Sequence, residues 1–384
     1  MSNLAEGILR KFWGKAESTY NTDAAFAATD AMGLLDLKLE PEMAEELSAE
    51  AVGTASLQHI FSGPRRGKWS ASSYMRPAAA GTAPDIGELL KAALGAETVV
   101  GATSVTYGLS DSVHPSLQLA RQVGLGMWER ANGAWIEQLD VESQSGQAPR
   151  ISVQGGYASH TWAYGTTVGT GGASIGATSV PVASPFGQLA VGAYLKIGTN
   201  ENTGAGHHVT AVNASTGALT ISPALTAAVI EGDAIVPIAL SQTLGGSLIA
   251  SVNHGFTVDS VALGLIGFKL SVKTGLKGLD KEITSDLPTR VGRGDRLITG
   301  ELQFYFIDSA NSYLAGRAWD GTTHALALRF GRDVAASRCK VTIPKARLKV
   351  SPIEVAEKEE ATFTMQFTAM QSAAACDELT IAFD

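Results

Sequence analysis

The chain has 384 residues, with 29 Lys and Arg against 37 Asp and Glu, a net charge of −8 and a pI near 5.5. That balance argues against a protein that grips nucleic acid through its phosphates, which needs a basic face. Charged residues make up 17% of the chain, against roughly 25% in typical soluble proteins, so much of the surface is expected in contacts between subunits.

Met1 to Tyr20 mixes Arg10, Lys11 and Lys15 with Glu6 and Glu17 around no long apolar stretch, so it does not read as a signal peptide. No apolar run of about 18 residues follows anywhere, and a soluble chain is expected. Cys339 and Cys376 have no CxxC partner and no His at ligand spacing, which fits reduced thiols made in a cytoplasm.

Leu37-Lys-Leu39 leads a first strand, followed by a loop over 41–66 and a second strand from Gly67 to Met75. Pro84 to Leu94 places Ile86, Leu89, Leu90 and Ala93 at helical spacing. Leu117-Gln-Leu119 and two longer strands, Ala134 to Glu142 and Arg150 to Gly156, complete this block. The same order then returns: Phe268-Lys-Leu270, a loop over 274–296, Leu297 to Phe306, a helix over Ser309 to Trp319, Leu326-Ala-Leu328, Arg347 to Ile353 and Ala361 to Ala369. Recurrence of this kind is a cue to duplicated architecture. Apolar and polar residues alternate through most of these strands, as in half-buried antiparallel sheet.

Between the copies, Gly165 to Gly176 reads as a flexible Gly/Thr/Ser approach. Five short strands follow, at 180–182, 194–197, 208–212, 219–221 and 234–236, separated by turns at Gly192, Asn213 to Gly217 and Glu231 to Asp233. The expected fold is mainly β: a first repeat with an N-terminal arm over 1–164, a small inserted β-barrel or sandwich on an outer surface over 165–241, and a second repeat over 242–384.

Several chemical motifs fail on context. Gly172-Ala-Ser174-Ile-Gly176 has the spacing of a nucleophile elbow but lacks the strand before it and the helix after it. Gly63-Pro-Arg-Arg-Gly67-Lys68 is one residue short of a phosphate loop and has Trp69 where Ser or Thr is required; it reads as the basic end of the first long loop. His207-His208 would point to opposite faces of a strand with no further ligand at metal spacing, and reads as an exposed turn pair. Trp128 and Trp135 flank Asn132-Gly133, a hairpin signal. No catalytic residue, metal or cofactor is expected.

Ala16-Glu-Ser-Thr-Tyr-Asn-Thr-Asp23, Leu34 to Glu40, Gly67-Lys-Trp-Ser-Ala-Ser-Ser-Tyr74 and Pro84-Asp-Ile-Gly-Glu-Leu-Leu-Lys-Ala-Ala-Leu-Gly-Ala96 resemble the major tail tube proteins of long-tailed bacteriophages. The likeness covers residues 5–160 and, more weakly, 256–384. It implies a β-sandwich with one flanking helix, whose strands join neighbouring subunits into a barrel around a lumen, with rings of six folds stacked through the long loop after the first strand. Two folds per chain would make a trimer that imitates a hexamer. The resemblance further implies self-association, tape-measure and tail tip or terminator proteins as partners, DNA only in passage, no membrane, and a place in the virion tail after assembly in the bacterial cytoplasm.

Residues 36–50 carry Asp36, Glu40, Glu42, Glu45, Glu46 and Glu50 against Lys38 alone, a net of −5. Residues 268–296 carry Lys269, Lys273, Lys277, Lys281, Arg290, Arg293 and Arg296 against Asp280, Glu282, Asp286 and Asp295, a net of +3. Opposite signs on equivalent loops would select which repeat meets which; solvated loop faces are the plain alternative. If Leu35, Leu37 and Leu39 face a core, then Asp36, Lys38 and Glu40 oppose them. By the same alternation Gln138, Asp140 and Glu142, and Thr362, Thr364, Gln366 and Thr368, are the candidate lumen residues of a polar, weakly acidic wall, with Lys269, Arg347 and Lys349 counting against a uniformly negative bore. The function expected is a structural virion protein that forms the tube. The rival is a surface-binding module whose insertion recognises host glycan or protein.

Overall fold

The structure is a computed structural model that describes residues 10–22, 26–47, 60–112, 114–123, 127–183, 189, 191–202, 206–213, 215–238, 242–249, 254–305, 312–334, 337–350, 362–373 and 375–384. It is mainly β. In chain order the elements are β1 (Lys11–Ala16), β2 (Leu34–Leu47), β3 (Ile60–Tyr74), α1 (Gly87–Leu94), β4 (Gly95–Val100), β5 (Ser104–Leu109), β6 (Leu117–Val123), β7 (Met127–Gln144), β8 (Arg150–Tyr157) and β9 (Ser159–Tyr164). The insertion supplies β10 (Thr166–Thr167), β11 (Ser179–Pro181), β12 (Tyr194–Ile197), β13 (His207–Asn213), β14 (Ala218–Ser222) and β15 (Ala234–Pro237). Then come β16 (Gly255–Val258), β17 (Val261–Ala262), β18 (Leu265–Lys273), β19 (Leu276–Leu279), β20 (Arg290–Arg293), β21 (Leu297–Tyr305), α2 (Ser312–Trp319), β22 (Thr323–Phe330), β23 (Cys339–Val350), β24 (Thr362–Ala369) and β25 (Thr380–Phe383).

Two units of one topology emerge from the pairings. In the first the antiparallel order is β2-β3-β8-β7-β6-β1, and in the second β18-β21-β24-β23-β22-β16. Their irregularities coincide. The bulge that skips Leu35 in β2 recurs at Ile266 in β18, and the bulge between Ala131 and Ala134 in β7 recurs between Ile343 and Ala346 in β23. A bulge adds one residue to one strand and bends it, so matched bulges fix the correspondence residue by residue: Asp36 with Gly267, Ala134 with Ala346. β7 has one further bulge, at Glu137, which sets Gln138 against Lys349.

Each unit has two sheets. β7 and β23 run through both: their first halves pair with β9 and β25, their second halves with β8 and β24. Asn132-Gly133 is therefore a bulge in one continuous strand and makes no hairpin, with Gly133 at φ +64° and its N–H donating to Glu17 Oε1 at 2.7 Å. α1 packs on β7 and α2 on β23. Gly95, at φ +100°, caps α1 in the left-handed conformation, its N–H donating to the Lys91 carbonyl, and turns the chain into β4.

The described residues of the first long loop are strand, and the second contains a short hairpin. β2 and β3 continue as a paired hairpin arm out to Leu47↔Ile60, and the segment over 274–296 holds the hairpin β19–β20. The basic run Arg65-Arg66 thus lies in β3. Leu35 is exposed because the bulge turns it from the core, correcting the expected Leu35, Leu37, Leu39 alternation.

The core between the sheets runs through both units, from Leu37, Trp69 and Leu139 to Phe268, Phe304, Phe363 and Phe367. In the insertion, β10-β15-β12-β13-β14-β11 form one sheet, closed into a barrel by the Val168↔Val182 bridge. The Gly/Thr/Ser run read as an approach segment already carries β10 and pairs Ala173 with Val229. The barrel shares its core with the first unit: Trp13, Phe26, Trp128 and Ala163 pack with Val168, Leu195 and Ile235. Trp128 Nε1 donates to the Ile238 carbonyl at 2.9 Å. His207 is buried in β13 with Nδ1 2.8 Å from the Pro223 carbonyl, while His208 faces Tyr194, so the pair does not form an exposed turn.

Candidate assembly surface

The first sheets of the two units join edge to edge. β18 pairs with β7 over seven residues, from Gly267↔Gln144 to Lys273↔Gln138, which makes one eight-stranded antiparallel sheet, β2-β3-β8-β7-β18-β21-β24-β23. One face carries the apolar core. A single row across the other face reads Asp36, Ser72, Ser152, Asp140, Ser271, Thr299, Thr368 and Arg347, one residue per strand. Five short hydroxyl side chains and Asp140 fill the middle, and a carboxylate and a guanidinium stand at the two ends.

This face bends around an open trough of about 670 Å³, lined among others by Gln138, Asp140, Glu142, Lys269, Thr299 and Gln366. Asp36, Lys38, Gln138, Asp140, Glu142, Thr362, Thr364 and Gln366, chosen by alternation, all lie on it. Gln138 Nε2 donates to Asp140 and, at 3.2 Å, to Ser271 Oγ across the seam; Gln154 Nε2 donates to Gln138 Oε1 at 3.3 Å. The face is of mixed sign, which corrects the weakly acidic expectation. Asp36, Glu40, Asp140, Glu142 and Glu301 stand beside Lys38, Lys68, Arg150, Lys269, Lys273, Arg347 and Lys349. Basic residues of β8, β18 and β23 alternate in step with the acids of β7 and so reach the same side.

Both ends of the eight-stranded sheet are open. β2 has no second strand partner among the described residues, and neither has β23 beyond Arg347, on the edge that corresponds to the β18-paired edge of β7. An unpaired edge exposes a row of backbone donors and acceptors ready to add a strand. β2 carries Asp36, Glu40, Glu42, Glu45 and Glu46 against Lys38, whereas β23 at its open end carries Arg347 and Lys349 and no carboxylate. β23 carries four cations along its length, but only the topology shows that Lys349 lies on an open edge with an acidic counterpart in β2.

The loop residues divide. Glu42 accepts from Lys68 Nζ at 2.5 Å with Arg66 3.6 Å away, and the Lys68 hydrogen bond holds its carboxyl below the usual range. Arg66 reaches Asp280 at 2.5 Å and Arg65 binds Asp286, so within one chain the first hairpin meets the second segment through its bases, the reverse of the expected acid-to-base sense. Arg290 pairs with Glu282 at 3.0 Å, Arg293 with Asp111 at 3.1 Å and Arg296 with Glu378 at 3.3 Å. These three brace their own chain. Glu40, Glu45, Glu46, Lys273, Lys277 and Lys281 are exposed, and Glu50 lies outside the described residues.

Among the described residues no group of three His, Cys, Asp or Glu is placed to hold a metal ion, and no helix is long and apolar enough to cross a membrane. A comparison with protein-family models finds no match for this chain, and neither does a comparison with curated proteins.

Proposed function

We propose that this chain is a structural protein whose copies join edge to edge into rings that stack as a tube conducting DNA, as in the phage tail tube proteins it resembles. The observation that carries the reading is the β7–β18 seam: the second unit already adds to the first as a neighbouring subunit would, and the sheet so formed ends in two edges of the same kind. Carrying the seam's register across the matched bulges sets Lys349 of one copy opposite Glu42 of the next, the counterpart of Gln138 opposite Lys273. Strand addition then supplies the hydrogen bonds, and the opposite charges of β2 and β23 select head-to-tail closure. Six units per ring, as the resemblance implies, require three copies.

The mixed-sign, hydroxyl-rich face would line the bore, where alternating charges offer a passing polyanion no continuous basic track. The β2–β3 arm, with Met43, Leu47 and Ile60 exposed, is the element available to reach a stacked ring. Tape-measure and terminator proteins are the partners this reading implies. Electron microscopy and mass measurement of the purified chain test it: closed trimers, rings or tubes are expected, and monodisperse monomers that bind bacterial cells would favour a surface-binding module.

A further inference from the structure

The second sheets are unequal in one place. β9 pairs with the first half of β7 as β25 does with β23, and the registers set Trp162 on Ile381 and Tyr164 on Phe383. Ile381 and Phe383 are buried because β5 from the first unit pairs along β25, placing Tyr107 opposite Ile381 and Val105 opposite Phe383, with the Tyr107 ring edge-on to Phe383 at 6.2 Å. No strand covers that edge of β9 among the described residues, and Trp162 and Tyr164 are each 38% exposed.

The cause lies after the helices. Between α1 and β6 the first unit spends residues 95–116 on the β4–β5 hairpin, while between α2 and β22 the second unit has only residues 320–322. Around a ring, the second unit of one copy stands to the first unit of the next as the first stands to the second within a chain, so no β5 arrives to cover β9. What the second unit presents instead is the end of α2. The two helices are both eight residues long, and Trp319 takes the place of Leu94. Leu94 is fully buried; Trp319 is 91% exposed.

We propose that Trp319 of one copy docks against Trp162 and Tyr164 of the next, an aromatic plug in the position that β5 occupies within the chain. This rests on the ring reading and adds to it a second, apolar contact beside the β2–β23 junction. A large aromatic exposed at a helix end and a half-covered aromatic pair on the facing edge are complementary in chemistry, and such anchors carry much of the energy of protein interfaces.

The test uses the full chain. Trp319→Ala should leave monomer folding unchanged, as judged by circular dichroism and thermal midpoint, because the side chain touches water in the free chain. It should raise the concentration for half-assembly by roughly thirty-fold, the equivalent of one aromatic hot spot. The Trp162→Ala, Tyr164→Ala double variant should match it, and combining all three substitutions should add little. In wild-type assemblies the fluorescence component missing from Trp319→Phe should resist acrylamide. Rings that form with Trp319 as quenchable as in the monomer, or a Trp319→Ala chain that assembles at the wild-type concentration, would overturn the contact and leave the ring reading intact. A wild-type chain that stays monomeric by mass would overturn both.

Discussion

Glu142 Oε1 lies 3.5 Å from Lys269 Nζ, across the seam where β7 of the first unit meets β18 of the second. Both side chains are more than half exposed, so the pair contributes about 0 to 1 kcal/mol. Its use is in register, since sliding β18 by one residue would turn Lys269 into the core. Lys269→Glu should destabilise the chain by about 1 kcal/mol or less, with Glu142→Lys, Lys269→Glu recovering most of the loss in urea titrations. Equal stabilities for the single and double variants would remove the pair from the account.

Trp135 locks the same junction by shape. Its indole lies over Gly156 and Gly278, where an added Cβ would fall 2.2 and 2.4 Å from ring atoms, and at Gly155 a Cβ would fall 1.9 Å from the Trp135 carbonyl oxygen. That carbonyl also accepts from Trp69 Nε1 at 3.0 Å. Because the clash at Gly155 is with backbone, no rotamer relieves it, and Gly155→Ala should cost about 3 kcal/mol. Gly278→Ala, which meets only the ring edge on the small hairpin, should cost less. The order of the two unfolding midpoints checks this.

The insertion is braced through Trp128, stacked on Trp13 with ring centroids 4.7 Å apart and bonded to the Ile238 carbonyl. Trp128→Ala should lower stability by about 3–5 kcal/mol and speed proteolysis at the barrel's base. Excising 166–237 would bare Trp13, Phe26 and Trp128 together, so the trimmed chain should be less stable than the whole. A trimmed chain with an unchanged thermal midpoint would show the shared core to be unimportant.

Alternation made the polar and apolar faces of β2, β7 and β24 legible, since period two is a local property of a strand. It failed at Leu35, where a bulge inserts one residue and leaves no compositional mark. The order of the duplicated strands could be followed, but β1 with β16 and β9 with β25 could not, because short strands that pair far along the chain have no local signature. Asn132-Gly133 has the composition of a turn, yet strands on both sides of β7 hold it as a bulge within one strand. Net charge over 36–50 and 268–296 hides that Arg65 and Arg66 sit on the acidic arm's returning strand and bind Asp286 and Asp280. The open edges of β2 and β23 become visible only when the strand pairings of both units are known.

Charge reversal at those edges tests the proposed junction. Lys349→Glu would face Glu42 of the next copy with like charge, and like charges directly opposite on adjacent strands repel. Assembly should require several-fold more protein, while the isolated chain keeps its stability. Adding Glu42→Lys should restore it in part, because Glu42 also binds Lys68 in its own chain. Glu45→Lys and Glu46→Lys, which lie further out on the arm, should affect stacking before ring closure. A Lys349→Glu chain that assembles at the wild-type concentration would refute the register.

His160 gives the fold a dependence on mild acid. Burial pushes its pKa down from 6.5 to about 4, with Glu129 opposing and Arg121 adding to the shift. Its Nδ1 is 2.9 Å from the Tyr157 hydroxyl and its ring 4.1 Å from that of Trp162. The unfolded chain therefore takes up a proton near pH 6.5 that the folded chain refuses until about pH 4. Stability from this group is complete above pH 6.5 and is lost as pH falls toward 4. His254, lowered by burial and by Arg329, acts in the same direction. Between pH 6.5 and 5 most carboxylates stay ionised and these two rings lower the urea midpoint, while Asp85, whose carboxyl pKa is raised by burial, acts in the opposite direction. His160→Gln should flatten the fall, and a slope identical to wild type would assign the acid sensitivity elsewhere.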